Sequence, residues 1–173
     1  NAIEGKGATV FCCDVVDPER YGVIELDASG KAIEIVEKPL QPKSRLAVTG
    51  LYFYDSEVID IAKEIRPSKR GELEITDVNQ RYLDAGKLNV ELLGRGYVWL
   101  DTGTHAALTE ASGFINSIEA RRGVKVACLE EIAFRNGWIT IDSIRDAVCV
   151  AMNSEYGKYL MRVIKDAEKD DFK

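Results

Sequence analysis

Short hydrophobic runs in the first half of the chain have the length and composition of β-strands. Gly7 to Val16 is a nearly continuous apolar run, as in a strand that is buried on both faces. Gly22 to Leu26 and Ala32 to Val36 alternate in side-chain character with a period of two, and Asp27-Ala28-Ser29-Gly30 between them suits a hairpin turn. The pattern therefore predicts a buried strand followed by an antiparallel β-hairpin.

The middle of the chain alternates between strand and helix patterns. A run rich in β-branched and aromatic residues predicts a strand at Leu46 to Tyr54, and two short strands are predicted at Asn89 to Leu93 and Tyr97 to Leu100, around Gly94-Arg95-Gly96. Apolar residues at helical spacing predict two helices: one contains Val58, Ala62 and Ile65 behind an Asp55 or Ser56 cap, and the other runs from Ile75 to Ala85. Pro67 and Gly86 are the expected stops of these helices.

The pattern beyond Thr104 is helical. The apolar stripe Leu108, Ala111, Ile115 and Ile118, with Phe114 beside it, predicts a helix that starts at Asp101 or Thr102 and ends before Gly123. We expect this stripe to pack within the chain rather than against another subunit. Three shorter helices are predicted, at Glu130 to Arg135, Asp142 to Val150 and Glu155 to Lys165.

The composition is that of a soluble, acidic globular protein. Of the 173 residues, 46% are hydrophobic and 30% are charged, and the formal net charge is -6. Excess Asp and Glu without a Lys/Arg-rich block argues against binding to nucleic acid or anionic lipid. Apolar runs fall short of the about 20 residues that span a bilayer, so we expect a cytoplasmic protein. The four cysteines lack the spacing of a disulfide framework or zinc site, and we expect all of them to be buried.

Several predicted strand ends carry residues that could bind a ligand or take part in catalysis. Glu37-Lys38-Pro39 combines a carboxylate that can accept from sugar hydroxyls with an ammonium that can meet a phosphate. Val48-Thr49-Gly50 offers a hydroxyl and close backbone approach, and Arg70 has the fork geometry for phosphate. Asp101 is either a helix cap or a metal ligand. Taken singly, each feature is more simply explained by a structural role.

Taken together and in order, these motifs resemble those of one family. The set comprises Asp17-Pro18-Glu19-Arg20-Tyr21-Gly22-Val23, Glu37-Lys38-Pro39, Val48 to Asp55, Arg70 to Asp77 and Trp99 to Thr104. It is similar to the motifs of glucose-1-phosphate thymidylyltransferases, and the likeness extends over nearly the whole chain. The stretches from Val48 and from Arg70 are specific, whereas Glu37-Lys38-Pro39 is shared with uridylyl- and adenylyl-transferring relatives.

The resemblance implies a reaction and a fold. In this family glucose 1-phosphate attacks the α-phosphorus of dTTP, pyrophosphate leaves, and dTDP-glucose forms for deoxysugar synthesis. Because the attacking group is already an anionic phosphate, catalysis needs in-line positioning and charge neutralisation by cations and Mg²⁺. The implied fold is α/β, with part of a mixed, Rossmann-like central sheet and a β-hairpin in residues 1–104 and a C-terminal helical appendage in residues 105–173.

The same resemblance implies the site residues. The sugar pocket would be lined by Tyr21, Gly22, Glu37, Val48, Thr49 and Trp99. Glu37 would accept hydrogen bonds from ring hydroxyls, and Lys38 and Arg70 would hold the phosphate of glucose 1-phosphate. Asp101 would be one ligand of the catalytic Mg²⁺. Lys38, Arg70 and Asp101 are thus the implied catalytic residues.

The chain departs from the family in one large respect. Family members open with a strand and a Gly-Gly-x-Gly-Thr-Arg-Leu loop that holds the nucleotide phosphates, and neither this loop nor the aspartate that would share the metal with Asp101 has a counterpart here. We therefore expect a carboxyl-terminal fragment whose dTTP site lies mostly outside this chain. Alone, the fragment is expected to lack thymidylyltransferase activity.

The resemblance also implies regulation and assembly. A nucleotide effector would bind near Gly94 and Arg95, and the helical tail would help to build a homo-oligomer. Two other functions fit the same residues. One is a non-catalytic sugar-phosphate-binding or assembly module, and the other is a sugar-1-phosphate nucleotidyltransferase that uses UTP, CTP or ATP.

Overall fold

The chain forms a mixed α/β structure. A computed structural model describes residues 6–170, and their contacts define two units, Asn1–Trp99 and Leu100–Lys173. The first unit contains seven strands and helices: β1 (Ala8–Asp14), β2 (Gly22–Leu26), β3 (Ala32–Glu37), β4 (Leu46–Tyr54), α1 (Val58–Glu64), α2 (Ile75–Asp84) and β5 (Leu88–Leu92). A 3-10 turn at Pro18–Arg20 lies between β1 and β2. The second contains the helices α3 (His105–Arg122), α4 (Leu129–Arg135), α5 (Ile141–Ala151) and α6 (Glu155–Asp170). These elements confirm the predicted fold class.

The five strands form one mixed sheet in the order β3-β2-β4-β1-β5. Strand β1 is antiparallel to β4 and parallel to β5. Strands β2 and β3 form the predicted antiparallel hairpin. In its turn, Asp27 Oδ1 accepts hydrogen bonds from the backbone nitrogens of Ser29 and Lys31, and Gly30 has a φ of 83°. This left-handed conformation explains why the turn uses glycine there.

Helix α2 supplies the buried residues that cover the sheet. Val78 and Tyr82 belong to the same hydrophobic cluster as Val10, Ile24 and Val48 of the strands. Tyr82 is 1% exposed. The rim of this core is polar: the Tyr54 hydroxyl donates to Asn79 Oδ1 at 2.6 Å, and the Tyr82 hydroxyl donates to Asp55 Oδ1 at 2.8 Å. The position of α2 is therefore determined by burial and by directed hydrogen bonds.

The helical unit has a core of its own. It is built from Cys128, Ile144, Val148, Tyr159, Leu160 and Val163. The four helices confirm the sequence pattern, although α6 runs to Asp170, beyond its predicted end at Lys165. No helix within residues 6–170 combines the length and the apolar composition that crossing a membrane would require.

Two predicted elements differ from the structure. Tyr97 to Leu100 is not a strand: the Tyr97 nitrogen donates to the Gly94 carbonyl in a turn, and within the described residues β5 pairs only with β1. An isolated extended segment has no ladder of hydrogen bonds. Helix α3 begins at His105 rather than at Asp101 or Thr102, because Thr104 is the cap and its side chain accepts from the Ala107 nitrogen at 3.1 Å.

Side-chain burial corrects two further expectations. On the α3 stripe Ala111 is buried, whereas Leu108 is 50% exposed, so packing within the described residues covers the stripe only in part. Cys12 and Cys128 are buried as expected, but Cys13 is only partly buried and Cys149 is exposed on α5. Burial raises the pKa of the Cys12 thiol to about 12. A period of hydrophobic residues identifies a helix face but not how much of that face a neighbour covers.

Gly157 and Gly113 form a pair of helical glycines with opposite surroundings. A Cβ on Gly157 would lie 2.2 Å from the Ala151 carbonyl oxygen, a backbone atom, whereas a Cβ on Gly113 would have nothing within 4 Å. We expect Gly157→Ala to lower the free energy of unfolding by about 1–3 kcal/mol through overpacking. Gly113→Ala should raise it by up to about 1 kcal/mol through helix propensity. Urea unfolding monitored by circular dichroism measures both, and equal stability of the two variants would contradict the packing at Gly157.

Asp55 links the folded state to pH. Its carboxylate accepts from the Tyr82 hydroxyl, the Gly7 nitrogen at 2.7 Å and the Glu57 nitrogen at 3.1 Å. The Tyr82 hydrogen bond is the main reason why the pKa of Asp55 lies below its usual value of 3.8. Since the folded state favours the charged carboxylate, this stabilisation is present above that usual value and is lost as the pH falls through the lowered pKa.

Replacing Asp55 by Asn should therefore destabilise the protein most near neutral pH. The difference in free energy of unfolding between wild type and Asp55→Asn should be nearly constant from about pH 7 to about pH 4 and should shrink as the pH falls from about 4 to about 2. Chemical unfolding at a series of pH values measures this difference. A difference that stays constant over the range would show that the carboxylate is not preferentially charged in the folded state.

Candidate functional site

Glu37 lies at the end of the hairpin and is held by the start of α2. Thr76 Oγ1 donates to Glu37 Oε2 at 2.5 Å. Gly22 pairs directly with Glu37 across the hairpin, and a Cβ on Gly22 would come within 3.1 Å of both Glu37 Oε2 and Thr76 Oγ1. Glycine therefore leaves the room that this hydrogen bond needs. The other oxygen, Glu37 Oε1, lies 3.9 Å from Arg70 Nη1.

Lys38 has a rare backbone conformation. Its φ is 45°, and within residues 6–170 the only other non-glycine residue with a positive φ is Ala127. The Lys38 nitrogen donates to the Tyr21 carbonyl at 2.9 Å, which closes the hairpin end, and the side chain is exposed. Such strained residues cost about 1–3 kcal/mol and concentrate at functional sites. The backbone strain makes Lys38 a candidate functional residue on structural grounds that are independent of any sequence motif.

Arg70 lies on a tight turn in front of α2. The Gly71 nitrogen donates to the Ser68 carbonyl at 2.9 Å, and Gly71 has a φ of 80°. Arg70 Nη2 donates to Glu72 Oε2 at 2.9 Å, while Nη1 lies 3.4 Å from Glu74 Oε1. The Arg70 side chain is 41% exposed. It can therefore offer donors to an external anion beside the Glu37 carboxylate.

Tyr21 and Trp99 form an aromatic pair beside Gly22. Their ring centroids are 4.8 Å apart and the rings are nearly perpendicular, at 73°. The Arg20 guanidinium lies over the Tyr21 ring, 5.4 Å from its centroid. Both aromatic side chains are half-buried. The fold thus brings Trp99 into contact with Tyr21, although these two residues are far apart in the chain.

Val48 and Thr49 lie at a bulge between β1 and β4. Val10 pairs with Tyr52 and Cys12 pairs with Val48, so one residue of β1 faces three residues of β4. Thr49 Oγ1 donates to the Phe11 carbonyl at 2.9 Å, and Thr49 is 2% exposed. The hydroxyl hydrogen of Thr49 is therefore used within the sheet, and a contact of Thr49 with a sugar stays a prediction. Bulges of this kind are frequent beside active sites.

Val48 stands behind Gly22. Its Cβ is 4.0 Å from the position that a Gly22 Cβ would take, and its side chain is buried. The structure thus gathers Gly22, Glu37, Arg70 and Val48 on one side of the first unit, with Lys38 and Tyr21 adjoining them through the hairpin end. The predicted sugar-pocket residues of this unit come from four separate stretches of the chain.

Asp101, Gly94 and Arg95 are the remaining predicted site residues. Asp101 belongs to the second unit, where its Oδ1 accepts from the Gly103 nitrogen at 3.1 Å, so it does not cap α3. Gly94 and Arg95 are exposed in the turn after β5. Within residues 6–170 no three His, Cys, Asp or Glu side chains form a metal-binding group. A role of Asp101 as one ligand of Mg²⁺ stays a prediction.

Thr76, Glu72 and Glu74 lie within the Arg70 to Asp77 motif, but the sequence analysis assigned none of them a role in the site. Thr76 contacts a carboxylate that lies 39 positions earlier in the chain. Glu74 accepts from the Ser68 hydroxyl at 3.0 Å and is only 12% exposed. A threonine in the first turn of a helix and carboxylates just before that helix have ordinary local explanations. No local signal therefore distinguishes them from capping residues.

Comparison with known proteins places this site in a family. Residues 1–118 match the nucleotidyl transferase family. A glucose-1-phosphate thymidylyltransferase from Xanthomonas campestris pv. campestris (strain B100) is 56% identical over 160 residues, which cover 92% of this chain and 54% of the relative. The chain thus spans about half the length of the curated relatives it matches.

Solved structures agree with the sequence match. One is a crystal structure of a Bacillus anthracis protein described as a glucose-1-phosphate thymidylyltransferase in complex with sucrose, with a TM-score of 0.56 and 49% identity over 63% of this chain and 43% of that chain. A second is a UDP-glucose pyrophosphorylase complexed with UDP-glucose, with a TM-score of 0.56 and 27% identity over 64% of this chain and 44% of that one. This chain is a nucleotidyltransferase-fold protein. It belongs to the nucleotidyl transferase family.

The hydrogen bond between Thr76 and Glu37 can be tested by isosteric replacement. Thr76 is buried and its acceptor is a partly exposed carboxylate, so we expect Thr76→Val to lower the free energy of unfolding by about 1–2 kcal/mol. Thr76→Ser keeps the hydroxyl and should recover most of that loss. Urea unfolding measures both variants, and a valine variant as stable as the serine variant would contradict the assigned hydrogen bond.

Proposed function

We propose that this chain supplies one wall of the active site of a glucose-1-phosphate thymidylyltransferase. This sugar-phosphate-binding wall is formed by Tyr21, Glu37, Lys38, Arg70 and Trp99. The whole protein would join dTTP and glucose 1-phosphate to give dTDP-glucose and pyrophosphate. The observation that carries the proposal is the position of Glu37, which is held by Thr76 beside Arg70. A fixed carboxylate can accept from sugar hydroxyls while a neighbouring guanidinium binds the phosphate of the same molecule.

Exposed cations complete the proposed phosphate site. Lys38, the strained residue that follows Glu37, has an exposed side chain, and the Arg70 side chain is partly exposed. Tyr21 and Trp99 provide an apolar edge beside Gly22. An edge of this kind suits the less polar face of a hexose, and the carboxylate suits its hydroxyls.

Nucleotide and metal complete the proposal for the whole protein. Bound Mg²⁺ would neutralise charge on the phosphates, and Asp101 is the residue of this chain that would supply a carboxylate to it. We propose that dTTP binds mostly to the part of the polypeptide that the relatives have in addition. The edge of β4 that faces β2 has room for a strand from that part of the polypeptide, since within the described residues β2 pairs only with Leu46 and Ala47 of β4. Cytoplasmic location, a homo-oligomer and effector binding at Gly94 and Arg95 stay predictions.

The similarity to a UDP-glucose pyrophosphorylase supports a second candidate, a transferase that uses UTP. Both candidates share the sugar-phosphate wall and differ in the nucleotide. The thymidylyl reaction is favoured because the relative that is 56% identical carries that name. Turnover by the whole protein with dTTP, UTP, CTP and ATP separates the two.

Binding of glucose 1-phosphate to this chain tests the proposed wall. Arg70→Ala and Lys38→Ala should each weaken binding by about tenfold, because each removes a charge-assisted contact to phosphate. The binding of glucose should change little. Isothermal titration calorimetry measures both ligands.

Arg81→Ala is the matched control for these variants. Arg81 lies on α2 and pairs with Glu64 at 3.2 Å, so its replacement removes a paired, exposed arginine of the same unit. It should leave glucose 1-phosphate binding unchanged. Equal affinities of wild type and Arg70→Ala, or equal losses in Arg70→Ala and Arg81→Ala, would contradict the proposal.

A further inference from the structure

The guanidinium of Arg70 is engaged by an exposed carboxylate of its own loop. Arg70 Nη2 donates to Glu72 Oε2 at 2.9 Å. Within the described residues the Glu72 carboxylate makes no other hydrogen bond, and its side chain is 62% exposed. A phosphate that approaches Arg70 from solvent must therefore compete with Glu72 for donors of the guanidinium.

The other two carboxylates near Arg70 are held by the fold. Glu74 accepts from the Ser68 hydroxyl and is 12% exposed, and Glu37 accepts from Thr76. Displacing either of them would break a hydrogen bond in a partly buried place, which costs more than moving an exposed side chain into water. Glu72 is thus the carboxylate that can leave Arg70 at the lowest cost.

We infer that Glu72 competes with the phosphate group of the sugar phosphate for the Arg70 guanidinium. The Glu72 carboxylate holds the guanidinium in place until that phosphate displaces it. This inference rests on the proposed function, because it takes Arg70 as the phosphate-binding residue. Glu72 then acts as a specificity-determining residue: it lowers the affinity for any phosphate ester but leaves the affinity for an unphosphorylated sugar unchanged. Only a ligand with an anionic group displaces it.

Glucose 1-phosphate, inorganic phosphate and glucose are the probes for this inference, titrated into the full chain by calorimetry. Glu72→Gln should tighten the binding of glucose 1-phosphate and of inorganic phosphate about two- to fivefold, the range that an exposed ion pair supports. Glucose binding should not change. In an Arg70→Ala background the same substitution should have no effect, because the competition is for Arg70.

Glu64→Gln is the matched control. Glu64 is an exposed glutamate of the same unit that accepts from Arg81 in the way that Glu72 accepts from Arg70. It changes the net charge equally and should leave phosphate binding unaffected. Equal gains in Glu64→Gln and Glu72→Gln would show a general charge effect and overturn the inference.

The outcomes separate the inference from the proposed function. If Arg70→Ala weakens binding but Glu72→Gln does not tighten it, the inference fails and the proposed function stands. If Arg70→Ala has no effect, or if no variant binds the sugar phosphate, the proposed function fails. Nitrogen-15 relaxation of the Arg70 side chain tests the contact without ligand: Glu72→Gln should increase its mobility, and an unchanged side chain would overturn the inference on its own.

Discussion

The packing of α2 against the sheet is the constraint on which the first unit depends. Val78 and Tyr82 enter the same core as Val10 and Ile24. Burial of each such side chain contributes about 1.5–3 kcal/mol, whereas the hydrogen bond from Thr76 to Glu37 contributes about 1 kcal/mol. Hydrophobic burial therefore determines where the helix lies. The hydrogen bond then determines how the carboxylate at the end of the hairpin is oriented.

The site combines strain and like charge, and neither would persist without this packing. Lys38 adopts a positive φ while its nitrogen is bonded to the Tyr21 carbonyl. Glu37, Glu72 and Glu74 surround a single guanidinium, that of Arg70. Like charges gathered at one place oppose folding unless cations or hydrogen bonds compensate them. The proposed ligand brings more negative charge, and this crowding favours the inferred displacement of Glu72 from Arg70.

The bulge between β1 and β4 shows how a sheet accommodates a site. Two extra residues on β4 interrupt the ladder, and the Thr49 hydroxyl satisfies the Phe11 carbonyl that the interruption leaves. The buried hydroxyl thus performs the role of a missing backbone donor. Gly50 next to it stays exposed.

Local patterns in the sequence determined the strands, the hairpin, most of the helices and the family, because turn chemistry, hydrophobic period and ordered motifs are properties of neighbouring residues. Tyr97 to Leu100 was predicted as a strand and is not one, since a strand depends on a partner that local pattern does not reveal. The exposure of Cys149 and the hydrogen bond from Thr76 to Glu37 were likewise decided by tertiary structure. Burial and side-chain contacts between distant residues depend on how elements pack, and the spacing of residues along one element carries no record of its neighbours.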